Sequence, residues 1–256
     1  APVVQRIVFV SDRKAKKNKD IFAMDADGQN LKRITSHGKQ DITPSWSRDG
    51  TRIVFSSTRE GHFERVYVMD NDGENVEAIT GGHRDLTPAW SPNENWIAVV
   101  HTTPDDGWNY DVWVVRFVAD RMGKFKLDPF PFANLGHGDK ENSWRVTTHS
   151  AQDESPVWSP NGKQIAWSSN RTGNYDIWVM DVAGNNKGGN KKNITNAPGN
   201  DKNPSWQYPW GEKFVFDSDR DGDSEIFVMD SDGGNIEQLT KNVFVWDGQP
   251  TWSPNG

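Results

Sequence analysis

Pro156-Val157-Trp158-Ser159-Pro160-Asn161-Gly162 is the stretch whose recurrence decides the fold. The same unit returns as Pro44-Ser45-Trp46-Ser47, Pro88-Ala89-Trp90-Ser91 and Pro250-Thr251-Trp252-Ser253, with a degenerate copy at Pro204-Ser205-Trp206-Gln207. Successive prolines are 44, 68, 48 and 46 residues apart, a period suited to one small four-stranded sheet per repeat. Reading onward from Trp158, a turn at Pro160-Asn161-Gly162 leads to a strand from Gln164 to Ser168, then a loop and a strand from Asp176 to Met180. An outer strand ending in threonine completes each unit, the threonines being Thr35, Thr80, Thr148, Thr195 and Thr240.

Composition agrees with strands joined by tight turns. There are five Leu against 22 Val and 12 Ile, with 13 Trp and 12 Phe, and no stretch carries apolar residues at helical spacing. Of the 256 residues, 34% are apolar, enough for one large domain spanning 1–256. The reading is an all-β, five-bladed β-propeller with four antiparallel strands per blade. Because the first strand, Arg6 to Val10, is of the second type and the chain ends on Pro-x-Trp, the C-terminal strand is expected to join the N-terminal blade and close the ring. The long 68-residue interval holds an insertion, about 119–143, between the third and outer strands of blade three.

Charge and residue chemistry exclude several functions. A net charge of −7 with scattered cations argues against a nucleic-acid partner. No apolar run is long enough for a membrane span. The absence of cysteine rules out disulfides and thiolate sites. There is no Gly-x-Ser-x-Gly elbow, no His-Glu-x-x-His and no phosphate loop, so a noncatalytic role is favoured over an enzyme.

Pro44-Ser45-Trp46-Ser47-Arg48-Asp49-Gly50 through Phe55-Ser56-Ser57 resembles the WD-like repeats of the TolB-type propeller family, as does Ser218-Asp219-Arg220-Asp221-Gly222 through Ile226-Phe227-Val228-Met229-Asp230. The likeness covers nearly the whole chain outside the insertion. It implies a propeller; the propeller domain of TolB itself has six blades where five are counted here. Such repeats occur in noncatalytic periplasmic scaffolds, in lyases and in the propeller domains of serine peptidases, so the likeness speaks to fold far more than to activity.

Each Pro-x-Trp strand has an aspartate three residues before its proline: Asp41, Asp85, Asp153, Asp201 and Asp247. In a propeller these would surround one mouth of the central channel. They form either an acidic ring for a cation or cationic ligand, or acceptors for backbone N–H groups in their own loops. His37, His83 and His149 lie in the same connections and could assemble a divalent-metal site with neighbouring Asp or Gln; such sites occur in oligogalacturonate lyases, which the repeat resembles. Asp217, Asp219, Asp221 and Glu225 fit the alternating carboxylates of an acidic Ca²⁺ loop, although Arg220 and Glu225 also read as a strand-fastening pair, like Arg59 with Glu64 and Arg171 with Asp176. The repeated tryptophans are assigned to packing between blades. Trp108 and Trp246 are expected on the channel-mouth face, where aromatic rings beside carboxylates suit a sugar or a protein anchor. Paired aspartates such as Asp25-Ala26-Asp27-Gly28 belong to hairpin turns, and the Lys14 to Lys19 run to a solvated loop.

The expectation is a monomeric, exported scaffold, periplasmic or secreted, presenting its channel-mouth face to a protein or other ligand. The rival is a carbohydrate-binding module, or a carbohydrate-active lyase or hydrolase, taking an oligosaccharide at the same mouth. The sequence requires no cofactor; Ca²⁺ or another divalent cation is the one its acidic groups could take.

Overall fold

The structure, a computed structural model, describes residues 6–14, 18–81, 84–102, 104, 107–117, 143–182, 189–242 and 246–252. Five antiparallel sheets follow one another along the chain. Blade one holds β1 (Arg6–Ser11), β2 (Asp20–Asp25) and β3 (Lys32–Arg33). Blade two holds β4 (Asp41–Trp46), β5 (Arg52–Ser57), β6 (Arg65–Asp70) and β7 (Glu77–Ala78). Blade three is β8 (Arg84–Trp90), β9 (Trp96–Thr102), β10 (Asp111–Arg116) and β11 (Ser143–Arg145). Blade four is β12 (Asp153–Trp158), β13 (Gln164–Ser169), β14 (Asp176–Asp181) and β15 (Lys191–Asn193). Blade five is β16 (Asp201–Trp206), β17 (Lys213–Ser218), β18 (Glu225–Asp230) and β19 (Glu237–Gln238). This is the all-β, five-bladed propeller that the repeats predict. The interval between β10 and β11, where the sequence places the insertion of about 119–143, runs through residues 118–142, which lie outside the described part of the chain.

The middle strands of blades two, three and four are apolar on both faces because each of these sheets packs between two others. On β5, Ile53 and Phe55 pack with Ile21 and Ala23 of blade one, while Val54 between them packs with Trp90, Ile97 and Val99 of blade three. Alternate side chains of one strand thus feed two different cores. Similar cores join blades three and four, around Ile165 and Trp167, and blades four and five, around Phe214 and Phe216. Fully burying a side chain such as Phe55 contributes roughly 1.5–3 kcal/mol. The repeated tryptophans serve these cores: Trp90 and Trp206 belong to them, and Trp46 and Trp158 pack against them.

Proline shapes every inner strand. It has no N–H to donate, and the residue before it takes a positive φ: Thr43 (50°), Thr87 (44°), Ser155 (52°), Asn203 (52°) and Gln249 (56°). The ladder shifts register at this bulge in β4, β8, β12 and β16. After the tryptophan, Gly50 and Gly162, both at φ 69°, close the turn into the second strand.

The segment 246–252 repeats the inner-strand conformation and lies against blade five. The Asp247 N–H donates to the Ser224 carbonyl at 2.8 Å, as Asp41, Asp85, Asp153 and Asp201 donate to Lys19, Glu64, Tyr110 and Tyr175. Gln249 N–H donates to Asp217 at 2.9 Å, and Trp252 borders the same cavity as Arg6 of β1. Among the described residues its hydrogen bonds go to blade five, and blade one shows three paired strands, with β1 laddered to β2. One expectation changes: the outer-strand threonine of blade three is Thr147, not Thr148. Its hydroxyl accepts the Val112 N–H at 2.9 Å, as Thr35, Thr80, Thr195 and Thr240 accept those of Ile21, Val66, Ile177 and Ile226.

Candidate partner-binding rim

Strand direction gives the ring two unlike ends. Each inner strand starts at its aspartate and finishes at its tryptophan, so the outer-to-inner and second-to-third connections share the aspartate end. The tight turns after tryptophan occupy the other end.

At the aspartate end, Asp41, Asp85, Asp153 and Asp201 are wholly buried beneath the loops. Arginines two residues beyond the second strand hold three of them: Arg59 donates to Asp41 at 2.9 Å, Arg171 to Asp153 at 2.8 Å and Arg220 to Asp201 at 2.8 Å. Each arginine is pinned twice more, by Nε to the last serine of the second strand and by the faces of two aromatic rings. For Arg59 these are Ser57 at 3.0 Å with Phe55 and Tyr67; for Arg220 they are Ser218 at 2.9 Å with Phe216 and Phe227. The fastening expected between Arg220 and Glu225 is therefore replaced by one to Asp201. Antiparallel pairing of first and second strands brings Asp201 opposite Ser218, two residues from the arginine. Glu225 instead accepts from Thr240 and from the Asn242 N–H. Blade three has Pro104 in the arginine position, and His101 Nδ1 meets Asp85 at 2.5 Å. In blade one Arg13 has the serine and both rings, Ser11 at 2.9 Å with Phe9 and Phe22, and no carboxylate within 4 Å among the described residues. Asp247, partly buried, accepts from Asn242 at 2.9 Å.

His37 and His149 turn to separate partners. His37 is exposed and uses its carbonyl to accept from Asn18, while the His149 ring accepts the Ala151 N–H at 3.1 Å. His83 lies outside the described residues. The four carboxylates of the acidic loop turn to separate partners: Asp217 to Asn203 and Gln249, Asp219 to Asn200, Asp221 to Gln238, and Glu225 to Thr240 and Asn242. Burial pushes the Asp217 carboxyl above the usual range, against the hydrogen bonds from Asn203 and Gln249. Among the described residues no group of three His, Asp or Glu side chains has metal-binding geometry.

Exposed aromatics mark the rim above the buried carboxylates. Trp108 is 41% exposed, holds φ 63° and lies 5.3 Å, ring to ring, from Phe63 of the neighbouring blade, itself 45% exposed. Trp246 is 64% exposed. Phe63 was not among the sequence candidates because no other blade has an aromatic in that place. Its signal is a bulky ring three residues before Val66, where the other blades have Asn18, Asn109, Asn174 and Asp223.

Fold and rim together define a repeat propeller with a buried structural acid ring and an apolar loop surface. The profile of the TolB beta propeller domain matches residues 1–123 and 136–256, and the chain belongs to that family. A Protein TolB homolog of Chlorobium luteolum is 28% identical over 176 residues, covering 69% of this chain and 34% of that protein. An uncharacterized peptidase, YuxL of Bacillus subtilis, is 25% identical over 168 residues, 57% of this chain and 25% of the other. The chain thus spans about a third or less of these relatives. TolB from Acinetobacter baumannii superposes with a TM-score of 0.71 at 20% identity, over 92% of this chain and 53% of that one. A puromycin-hydrolyzing peptidase of Mycobacterium tuberculosis gives 0.62 at 14% identity, over 95% and 40%, a likeness of fold alone. Among the described residues no helix is long and apolar enough to cross a membrane.

Proposed function

We propose that this propeller is a noncatalytic scaffold that binds a protein partner through the rim at its aspartate end, in an exported, TolB-like setting. The observation carrying this reading is the Phe63–Trp108 pair: two large rings from adjacent blades, in contact with each other yet more than two-fifths exposed. Aromatic anchors of this kind dominate protein interfaces. Trp108 also keeps a backbone conformation that a bulky residue adopts at a cost, and such strain gathers at functional sites. The buried aspartates support this face from beneath, fixing where each loop leaves its sheet.

Site-specific photo-crosslinking tests it. A photoreactive phenylalanine at Phe63 should capture one discrete protein in the producing cells, and the same group at Asn71, on a turn at the tryptophan end, should not. Equal capture from both positions, or none from Phe63, contradicts the reading.

A further inference from the structure

The turns at the tryptophan end surround a cavity of about 810 Å³, within the size range of sites for small molecules. Its walls are aromatic: Trp46, Trp90 and Trp158 from three inner strands, and Tyr208 of blade five. Two guanidinium groups, Arg6 and Arg48, border it as well. The acid among its lining residues, Asp49, is saturated by its own turn, accepting from the Ser47 hydroxyl at 2.7 Å and from the Thr51 N–H and hydroxyl at 2.9 and 2.8 Å. Arg48 has no carboxylate within 4 Å among the described residues; it lies 5.7 Å from the centre of the Tyr208 ring, reaching from blade two to blade five. Arg6 touches Asp25 only at 4.0 Å.

Flat apolar walls joined to an uncompensated guanidinium select for one kind of ligand. We infer that this cavity binds a small organic anion with a planar aromatic body, its carboxylate held by Arg48 and its ring against the tryptophans. A guanidinium forks onto a carboxylate with two parallel hydrogen bonds, which suits Arg48 to holding an anion at this wall of the cavity. The site is at the opposite end from the Phe63–Trp108 rim, so the two stand or fall separately.

Calorimetric titration with naphthalene-2-carboxylate and with naphthalene-2-carboxamide decides the matter. The acid should bind saturably with a dissociation constant of about 100 µM or tighter, and the neutral amide at least tenfold more weakly. Arg48→Ala should weaken the acid at least tenfold, and Phe63→Ser should leave it unchanged. Arg48→Gln, which keeps the stem and can still pack on Tyr208, provides the same test if the alanine variant melts early. No saturable heat with the acid, equal affinity for acid and amide, or undiminished affinity in the folded Arg48 variants would overturn the inference.

Discussion

Arg171 donates through one nitrogen to both carboxylate oxygens of Asp153, at 2.8 and 3.1 Å, and thereby ties the first strand of blade four to the loop after its second. The Trp167 indole N–H donates to the same carboxylate at 3.1 Å, and Arg171 lies over the Trp167 and Trp178 rings. Removing one partner of a buried pair leaves an uncompensated charge, which costs about 3–5 kcal/mol. Asp153→Ala should therefore lower the melting temperature by roughly 6–12 °C for a chain of this size. Asp247→Ala, at a half-buried carboxylate bonded to Asn242, should cost about 1 kcal/mol or less. Differential scanning calorimetry of the two variants measures the contrast.

Blade three tests the same clamp with a different donor. His101 and Asp85 are both buried, at 2% and 0% exposure, and Pro104 cannot replace the missing arginine. His101→Ala should cost about 2–4 kcal/mol in urea unfolding, from an unpaired carboxylate and the space left by the ring. A loss comparable to that of a surface substitution would mean that Asp85 is satisfied elsewhere.

The threonine in the turn after β11 offers a paired control. Thr147 is fully buried and accepts the Val112 N–H, so Thr147→Val should cost about 1–3 kcal/mol through the orphaned donor. The same change at the neighbouring Thr148 should have a far smaller effect, read by the same urea titrations.

Alkaline pH should weaken the fold through tyrosine. Burial, reinforced by the Glu60 carboxylate, pushes the Tyr67 phenol from 10.0 up to about 12, and burial with Glu154 raises Tyr175 still further. A raised folded-state value means that the neutral phenol is favoured by folding. The associated stability is complete below pH 10 and is lost as pH rises towards 12. Absorbance titration near 295 nm should show late-ionising tyrosine that Tyr67→Phe removes in part, together with some of the stability lost between pH 10 and 12.

Much of this architecture is legible from residue order, for reasons tied to particular residues. Pro44 and Trp46 mark an inner strand because proline, lacking an N–H, fits where the ladder is interrupted and tryptophan packs against the core between two blades, and both needs recur with the ring. The clamps are less legible. Arg59 is 18 residues from Asp41 but five from Glu64, and nearness along the chain points to the wrong acid; only the register of β4 against β5 corrects it. The aspartates, open in the sequence between an acidic ring and acceptors of their own loops' N–H groups, are at four positions buried and held by side chains, for the same reason. Phe63 escapes a repeat-based reading because what is particular to one blade has no echo in the others.

Once a partner has been captured at Phe63, its affinity for the wild-type chain and for Phe63→Ser/Trp108→Ser measures the proposed role most directly. The double variant should bind at least tenfold more weakly, about 1.4 kcal/mol or more, with a melting temperature close to that of the wild type. Unchanged affinity in a folded double variant would contradict the placement of the binding face.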